Sequence, residues 1–199
     1  MVELNFKKIK PKQIEETLIQ VGLRIAKRGE GALFVVGEVE YSSLVDQNVP
    51  PFLITENPKL LESLALMDGA VIIDKNGIMR SYGAMIKSKT TFKNFGTRHS
   101  AGMTASTVNG NLVVIVSEED KKIRILKNGK MIMQIDALQK DVEKSVPYAV
   151  DLLESVGAGT LGAIGTGLLI PALGITLIPG ILVFGSAYYL GKLLTKKLS

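Results

Sequence analysis

Cysteine and tryptophan are absent from the 199 residues, and histidine occurs once. Without cysteine there are no disulfides, iron–sulfur clusters or thiolate zinc sites. A single histidine rules out a multi-histidine metal centre. Any metal must then be held by oxygen ligands, a donor set that suits Mg²⁺ or Mn²⁺ bridging phosphates. The basic start, Lys7-Lys8-Ile9-Lys10-Pro11-Lys12, has no interleaved aromatic residues on which bases would stack, and no nucleic-acid partner is expected. The N-terminus lacks the apolar stretch and small-residue cleavage site of a signal peptide, so the part of the chain that follows is expected in the cytoplasm. Charge is also absent in one place: no Asp, Glu, Lys, Arg or His lies between Val156 and Gly191.

What remains is a chain long enough for one core and a small appendage. Its formal charge of +5 and pI near 9.3 admit an anionic partner, whether nucleotide, lipid or nucleic acid. From Pro11, a good first-turn residue, Ile14, Leu18, Val21 and Ile25 recur at helical spacing. The apolar run 31–37, bounded by glycines, reads as a buried strand. A mixed segment to Thr55 precedes Asn57-Pro58, a cap and first-turn pair for a helix carrying Leu60, Leu61 and Leu64. Strands at 71–74 and 78–82 form a hairpin about Lys75-Asn76-Gly77. A looser stretch leads to Gly96 and a helix of small residues over 97–106. Strands at 112–116, 122–126 and 131–135 follow, the last two joined by Asn128-Gly129. A helical segment begins near Leu138, with Pro147 marking a break or restart.

These periods predict an α/β (α+β) fold, a mixed β-sheet core flanked by helices. The expected units are an N-terminal helical segment at 1–28, a core at 29–137, a connecting helix at 138–155 and a tail at 156–199. The charge-free stretch is about 36 residues, or about 54 Å as one helix, against a hydrocarbon thickness of about 30 Å. Pro171, Gly174, Pro179 and Gly180 would break such a helix near its middle. Two short spans forming a helical membrane hairpin fit better, returning Lys192, Lys196 and Lys197 to the cytoplasmic side. Gly159, Ala163 and Gly167, four apart, would let the two arms pack closely. The alternative is a Gly-rich hairpin buried in an oligomer. Gly157-Ala158-Gly159-Thr160-Leu161-Gly162 matches a dinucleotide fingerprint in form only, because no strand precedes it and no acidic residue follows to hold a ribose.

Two short strings carry the chemistry. Asp68-Gly69-Ala70 enters the strand at 71–74, and Gly96-Thr97-Arg98-His99 opens the small-residue helix. Taken singly, the first reads equally as a turn and the second as a helix cap centred on Thr97. Together with Gly31-Ala32-Leu33, Ser81-Tyr82 and Ser117-Glu118-Glu119 at the end of a buried strand, they resemble the diadenylate cyclase family over residues 22–133. Two positions depart from that family's pattern. Ser100 stands where a further basic residue is usual, offering one weak donor to phosphate in place of a guanidinium, and Met67 stands where many relatives have histidine.

The resemblance implies an ATP-using nucleotidyltransferase that condenses two ATP into cyclic di-AMP, releasing two pyrophosphates. By the same resemblance Asp68 would bind Mg²⁺ or Mn²⁺ and orient or help deprotonate the attacking 3′-hydroxyl. Gly69 and Ala70 would let the backbone approach the nucleotide, and Tyr82 would pack on adenine. Thr97, Arg98, His99, Ser100 and Ser117 would meet phosphate oxygens. Glu119 would be a second metal contact, or else a solvated acid at a strand end. It further implies activity only in a homodimer or higher homo-oligomer, with two subunits face to face. The competing expectations are a membrane-tethered nucleotide sensor without turnover, and a channel-like or scaffolding hairpin gated by the soluble part.

Overall fold

The computed structural model describes residues 9–46, 49–87, 96–157, 169–170 and 175–177. Helix α1 (Pro11–Lys27) begins as its sequence requires. Pro11 occupies the first turn, and the Lys10 amide donates to Gln13 Oε1 at 3.0 Å. Its periodic residues Ile14, Leu18, Val21 and Ile25 are all buried. Strand β1 (Ala32–Val36) follows, and then the segment read as mixed proves to contain two short strands, β2 (Tyr41–Ser43) and β3 (Phe52–Leu53). Helix α2 (Pro58–Ala65) leads into the hairpin of β4 (Ala70–Ile73) and β5 (Ile78–Ile86). Helix α3 (Thr97–Ser106) precedes the meander β6 (Leu112–Val116), β7 (Lys122–Lys127) and β8 (Lys130–Asp136). A 3₁₀ turn (Val142–Ser145) then gives way to α4 (Val146–Gly157), which restarts at Pro147.

The strands form one mixed sheet in the order β2-β5-β4-β1-β6-β7-β8, with β3 paired to β5 outside that path. Among the described strands β1 and β4 are the parallel pair, and the others run antiparallel. Alternation along each strand sends side chains to two cores. The larger contains Phe34, Val71, Ile73, Val114 and Ile125 and lies under α1, α2 and α4. Glu62, buried on α2, is held there by Arg24 Nε (2.6 Å) of α1 and Arg28 Nη1 (2.9 Å) just after it. The smaller core contains Leu33, Val35, Ala70, Ile72, Ala84 and Ile115 beneath α3.

The apolar tail departs from its expected helical form where it is described. Leu169–Ile170 (β9) and Ile175–Leu177 (β10) are extended, and β10 adds to the edge of β8 with Thr176 opposite Gln134. The physical reason is an open edge of unpaired backbone groups on β8, met by β-branched Ile175 and Thr176. Among the described residues no helix is long and apolar enough to cross a membrane. The rest of the expected hairpin, including Gly159, Ala163, Gly167, Pro171 and Pro179, lies outside the described residues.

Candidate active site

A cavity of about 520 Å³ opens on the α3 face of the sheet. Its floor is Leu33, Ala70, Ala84 and Ile86; its walls are Asp68, the first turn of α3, the loop 117–120 and Arg124, with Leu44 and Met85 at the rim. Asp68 ends the turn before β4 and is exposed, with its Oδ1 accepting from the Gly69 amide at 3.0 Å. Gly69 adopts φ +97, and a Cβ there would lie 2.7 Å from the Gly83 carbonyl carbon. Glycine is thus demanded at 69 by the neighbouring strand β5 itself. Ala70 and Ala84, opposite one another across the ladder, keep the floor low.

At the head of α3, Gly96 is the cap and Thr97 the first helical residue, so the cap position itself carries no side chain. Thr97, which the alternative reading of the string made the cap residue, lies one position inside the helix. Its first amides face a region where the helix dipole favours negative charge. Arg98 lays its guanidinium over Gly31: a Cβ at Gly31 would come 2.2 Å from Arg98 Nη1. The same Nη1 is 3.7 Å from Glu118 Oε2. His99 Nε2 lies 3.3 Å from Arg124 Nη1. Burial first, and then the adjacent Arg124 charge, hold the imidazole pKa below its ordinary value.

The loop after β6 returns tightly, with the Ser117 amide donating to the Lys122 carbonyl at 3.0 Å. Asp120 accepts from both terminal nitrogens of Arg124, Nη1 to Oδ1 at 3.2 Å and Nη2 to Oδ2. Partial burial pulls the Asp120 carboxyl upward, but hydrogen bonds from Arg124 and Ser117 outweigh it and hold the pKa below the usual carboxylate value.

The structure brings Asp68, Gly69, Ala70, Thr97, Arg98, His99, Ser117 and Glu119 to this one cavity. Tyr82 and Ser100 do not line it. Pairing irregularities between Ala70 and Ile73 of β4 and the facing part of β5 shift the alternation, and Tyr82 packs into the larger core instead. Ser100 is 3% exposed on the inner side of α3, because each helical residue turns about 100° from the last. Arg124 and Asp120 were not anticipated. The available signal was an arginine between two buried isoleucines on β7, a position whose side chain must leave on the opposite face.

Among the described residues four carboxylates (Asp68, Glu118, Glu119, Asp120) meet two guanidiniums (Arg98, Arg124) around the cavity. With His99 neutral, this lining is net acidic. A polyphosphate would therefore be accommodated far better with a divalent cation than without one. Among the described residues no group of three or more His, Cys, Asp or Glu is placed to hold a metal on its own. Asp68 and Glu119 both line the cavity, so either could hold a Mg²⁺ ion only with oxygens supplied from elsewhere.

Fold and lining together define an α/β protein with an open cavity at the N-terminus of α3. The family described as DisA bacterial checkpoint controller nucleotide-binding matches residues 22–131, more than half of the chain, and the chain belongs to that family. Among its relatives, the diadenylate cyclase of Haloferax volcanii is 28% identical over 139 residues, covering 60% of this chain and 51% of that protein. The cyclic di-AMP synthase CdaA of Bacillus subtilis is 30% identical over 128 residues, covering 60% and 47%. A crystal structure of a double mutant of DacA from Staphylococcus aureus aligns with TM-score 0.45 at 25% identity, covering 60% of this chain and 84% of that one. The chain spans about half the length of the curated relatives it matches.

Proposed function

We propose that this chain is a diadenylate cyclase, joining two ATP into cyclic di-AMP with release of two pyrophosphates. The observation that carries the proposal is the convergence of Asp68, the α3 head with Thr97, Arg98 and His99, and Ser117 on one cavity. Its relatives' names, diadenylate cyclase and cyclic di-AMP synthase, support the same activity.

In this scheme the triphosphate lies against the head of α3. The first-turn amides, the Thr97 hydroxyl, Arg98 and Ser117 bind its oxygens, and Arg98 is kept in place by Gly31 beneath it and Glu118 beside it. Asp68, exposed at the mouth, orients the 3′-hydroxyl of the attacking nucleotide and accepts its proton. Asp68 and Glu119 would hold a Mg²⁺ or Mn²⁺ ion, which would supply neutralisation of the developing phosphate charge. The residues otherwise position the two reactants, which is the dominant contribution in phosphoryl transfer. One cavity holds one nucleotide, and the second comes from another copy of the chain. The exposed Asp68, Leu44 and Met85 at the rim support a face-to-face meeting of two such sites.

Residues 156–191, without charge and followed by three lysines, support a further part of the proposal: the tail anchors a cytoplasmic catalytic unit to a membrane. Binding without turnover is the second reading, favoured by one observation, the burial of Ser100 where a basic residue is usual. Incubating the purified full chain with ATP and Mn²⁺ or Mg²⁺, then resolving products by chromatography, separates them. Cyclic di-AMP that disappears on chelation supports the cyclase. Retained, unconverted ATP supports the sensor.

A further inference from the structure

Arg124 is the cavity residue least explained by its sequence surroundings. It lies mid-strand on β7, between Ile123 and Ile125, and its side chain is only 14% exposed. A solvated strand arginine would extend into water. This one instead folds against Asp120, four residues earlier, in a two-pronged guanidinium–carboxylate pair, and turns one Nη1 toward His99. Such fork-to-fork pairs fix the plane of the guanidinium as well as its position.

The contact with His99 has only one chemically sensible form. Arginine carries five N–H donors and no acceptor, and does not lose its proton in a protein. At 3.3 Å from Nη1, His99 Nε2 must therefore be the acceptor, with a lone pair and no proton. A doubly protonated ring would set N–H against N–H and a cation against a cation. A ring protonated at Nε2 alone would lose the hydrogen bond. The remaining form is the neutral imidazole with its proton on Nδ1.

We propose that Arg124, clamped by Asp120, is a positioning residue of this site: it holds His99 as the neutral Nδ1–H tautomer, so the ring meets a phosphate oxygen as a hydrogen-bond donor and not as a cation. The tautomer rests on the Arg124 contact, whereas the phosphate contact rests on the nucleotide function proposed above. The charged groups around the ring are Arg124 and Arg98 on one side of the balance, and Asp120 and Glu119 on the other. Arg124 thereby fixes which edge of the ring donates, and leaves Arg98 as the cationic phosphate ligand on α3.

His99 is the single histidine of the chain, so one pair of imidazole nitrogen resonances reports it without assignment ambiguity. The test is ¹⁵N spectroscopy of the labelled full chain without nucleotide at pH 7, on wild type, Arg124→Met and Arg124→Lys. The wild type should show a protonated Nδ1 and an unprotonated Nε2. Arg124→Met, which keeps length but has no donor, should lose that preference and titrate at higher pH. Arg124→Lys, which keeps a donor and a charge, should retain it. Calorimetric titration with ATP and Mn²⁺ should then show about tenfold weaker binding for Arg124→Met, and a smaller loss for Arg124→Lys. A wild-type ring protonated at Nε2, singly or doubly, overturns the proposal even if no Arg124 variant folds. So does an unchanged tautomer in a folded Arg124→Met protein. The expected tautomers together with no ATP binding would retain the positioning role and overturn the nucleotide function instead.

Discussion

On one face of the sheet Phe34, Val71 and Ile73 are sealed beneath α1 and α2; one residue along the same strands, Leu33, Ala70 and Ile72 look toward α3, and Leu33 and Ala70 floor the cavity. The first face is covered by three amphipathic helices and is apolar almost throughout. The second is covered by one short helix of small residues whose head stops over the cavity, leaving room for about 520 Å³ of space. Strand alternation thus divides a single sheet into a face that supplies stability and a face that supplies chemistry. Substitutions one residue apart should therefore fail in different ways.

The largest effect belongs to the closed face. Phe34 is fully buried, and Phe34→Ala should cost about 3–5 kcal/mol of stability through lost burial and the cavity left behind. Chemical denaturation measures this, and the folded fraction should still bind ATP with near-normal affinity. On the open face, Asp68→Asn keeps volume and fold but removes the charge at the cavity mouth. Its turnover should fall by about a hundredfold or more, with an unchanged melting temperature. A melting temperature lowered along with activity would blur the division between the faces.

A third effect tests the closed face by pH. Glu15 on α1 has a buried oxygen without a hydrogen-bond partner among the described residues, and burial pushes its carboxyl up to about 7, with Lys127 opposing that rise. A raised carboxylate pKa means the fold prefers the protonated form. The contribution is therefore intact below about pH 4.5, is lost as pH rises toward 7, and stays lost above it. Glu15→Gln should be more stable than wild type by about 1–3 kcal/mol at pH 8, and the difference should vanish at pH 4. Thermal melts across that range check it.

The smallest effect should come from Gly31→Ala. The new methyl group would displace the tip of Arg98, a flexible side chain, and press on the Val116 carbonyl oxygen at 3.2 Å, so the fold should survive with a small loss of stability while ATP binding weakens by about tenfold. Calorimetry measures the affinity, and an unchanged value would remove Gly31 from the positioning of Arg98.

Much of this arrangement is legible in the sequence because it is local. Asp68-Gly69-Ala70, Thr97 to His99 and Ser117 each sit at a strand or helix end, where turn chemistry and short apolar runs announce the boundary. Tyr82 and Arg124 show where such reading stops. The face that Tyr82 occupies depends on irregular β4–β5 pairing near Gly83, which no count of alternating residues registers. Arg124 joins the site through Asp120 and His99, and His99 lies 25 residues before it in sequence. Ser100 was read as a phosphate donor by its neighbours in the string, whereas helix rotation turns it inward. The tail was read from its composition as helical, and the open edge of β8 is a tertiary feature that composition does not contain.

The central claim is that the open face is half of a cyclase site completed by a second copy of the chain. The most direct test is the specific activity of the full chain in forming cyclic di-AMP from ATP and Mn²⁺, measured over a dilution series alongside light scattering. Activity that falls as the assembly dissociates is the predicted result. Undiminished synthesis by a confirmed monomer, or no cyclic di-AMP at any protein concentration, would contradict it.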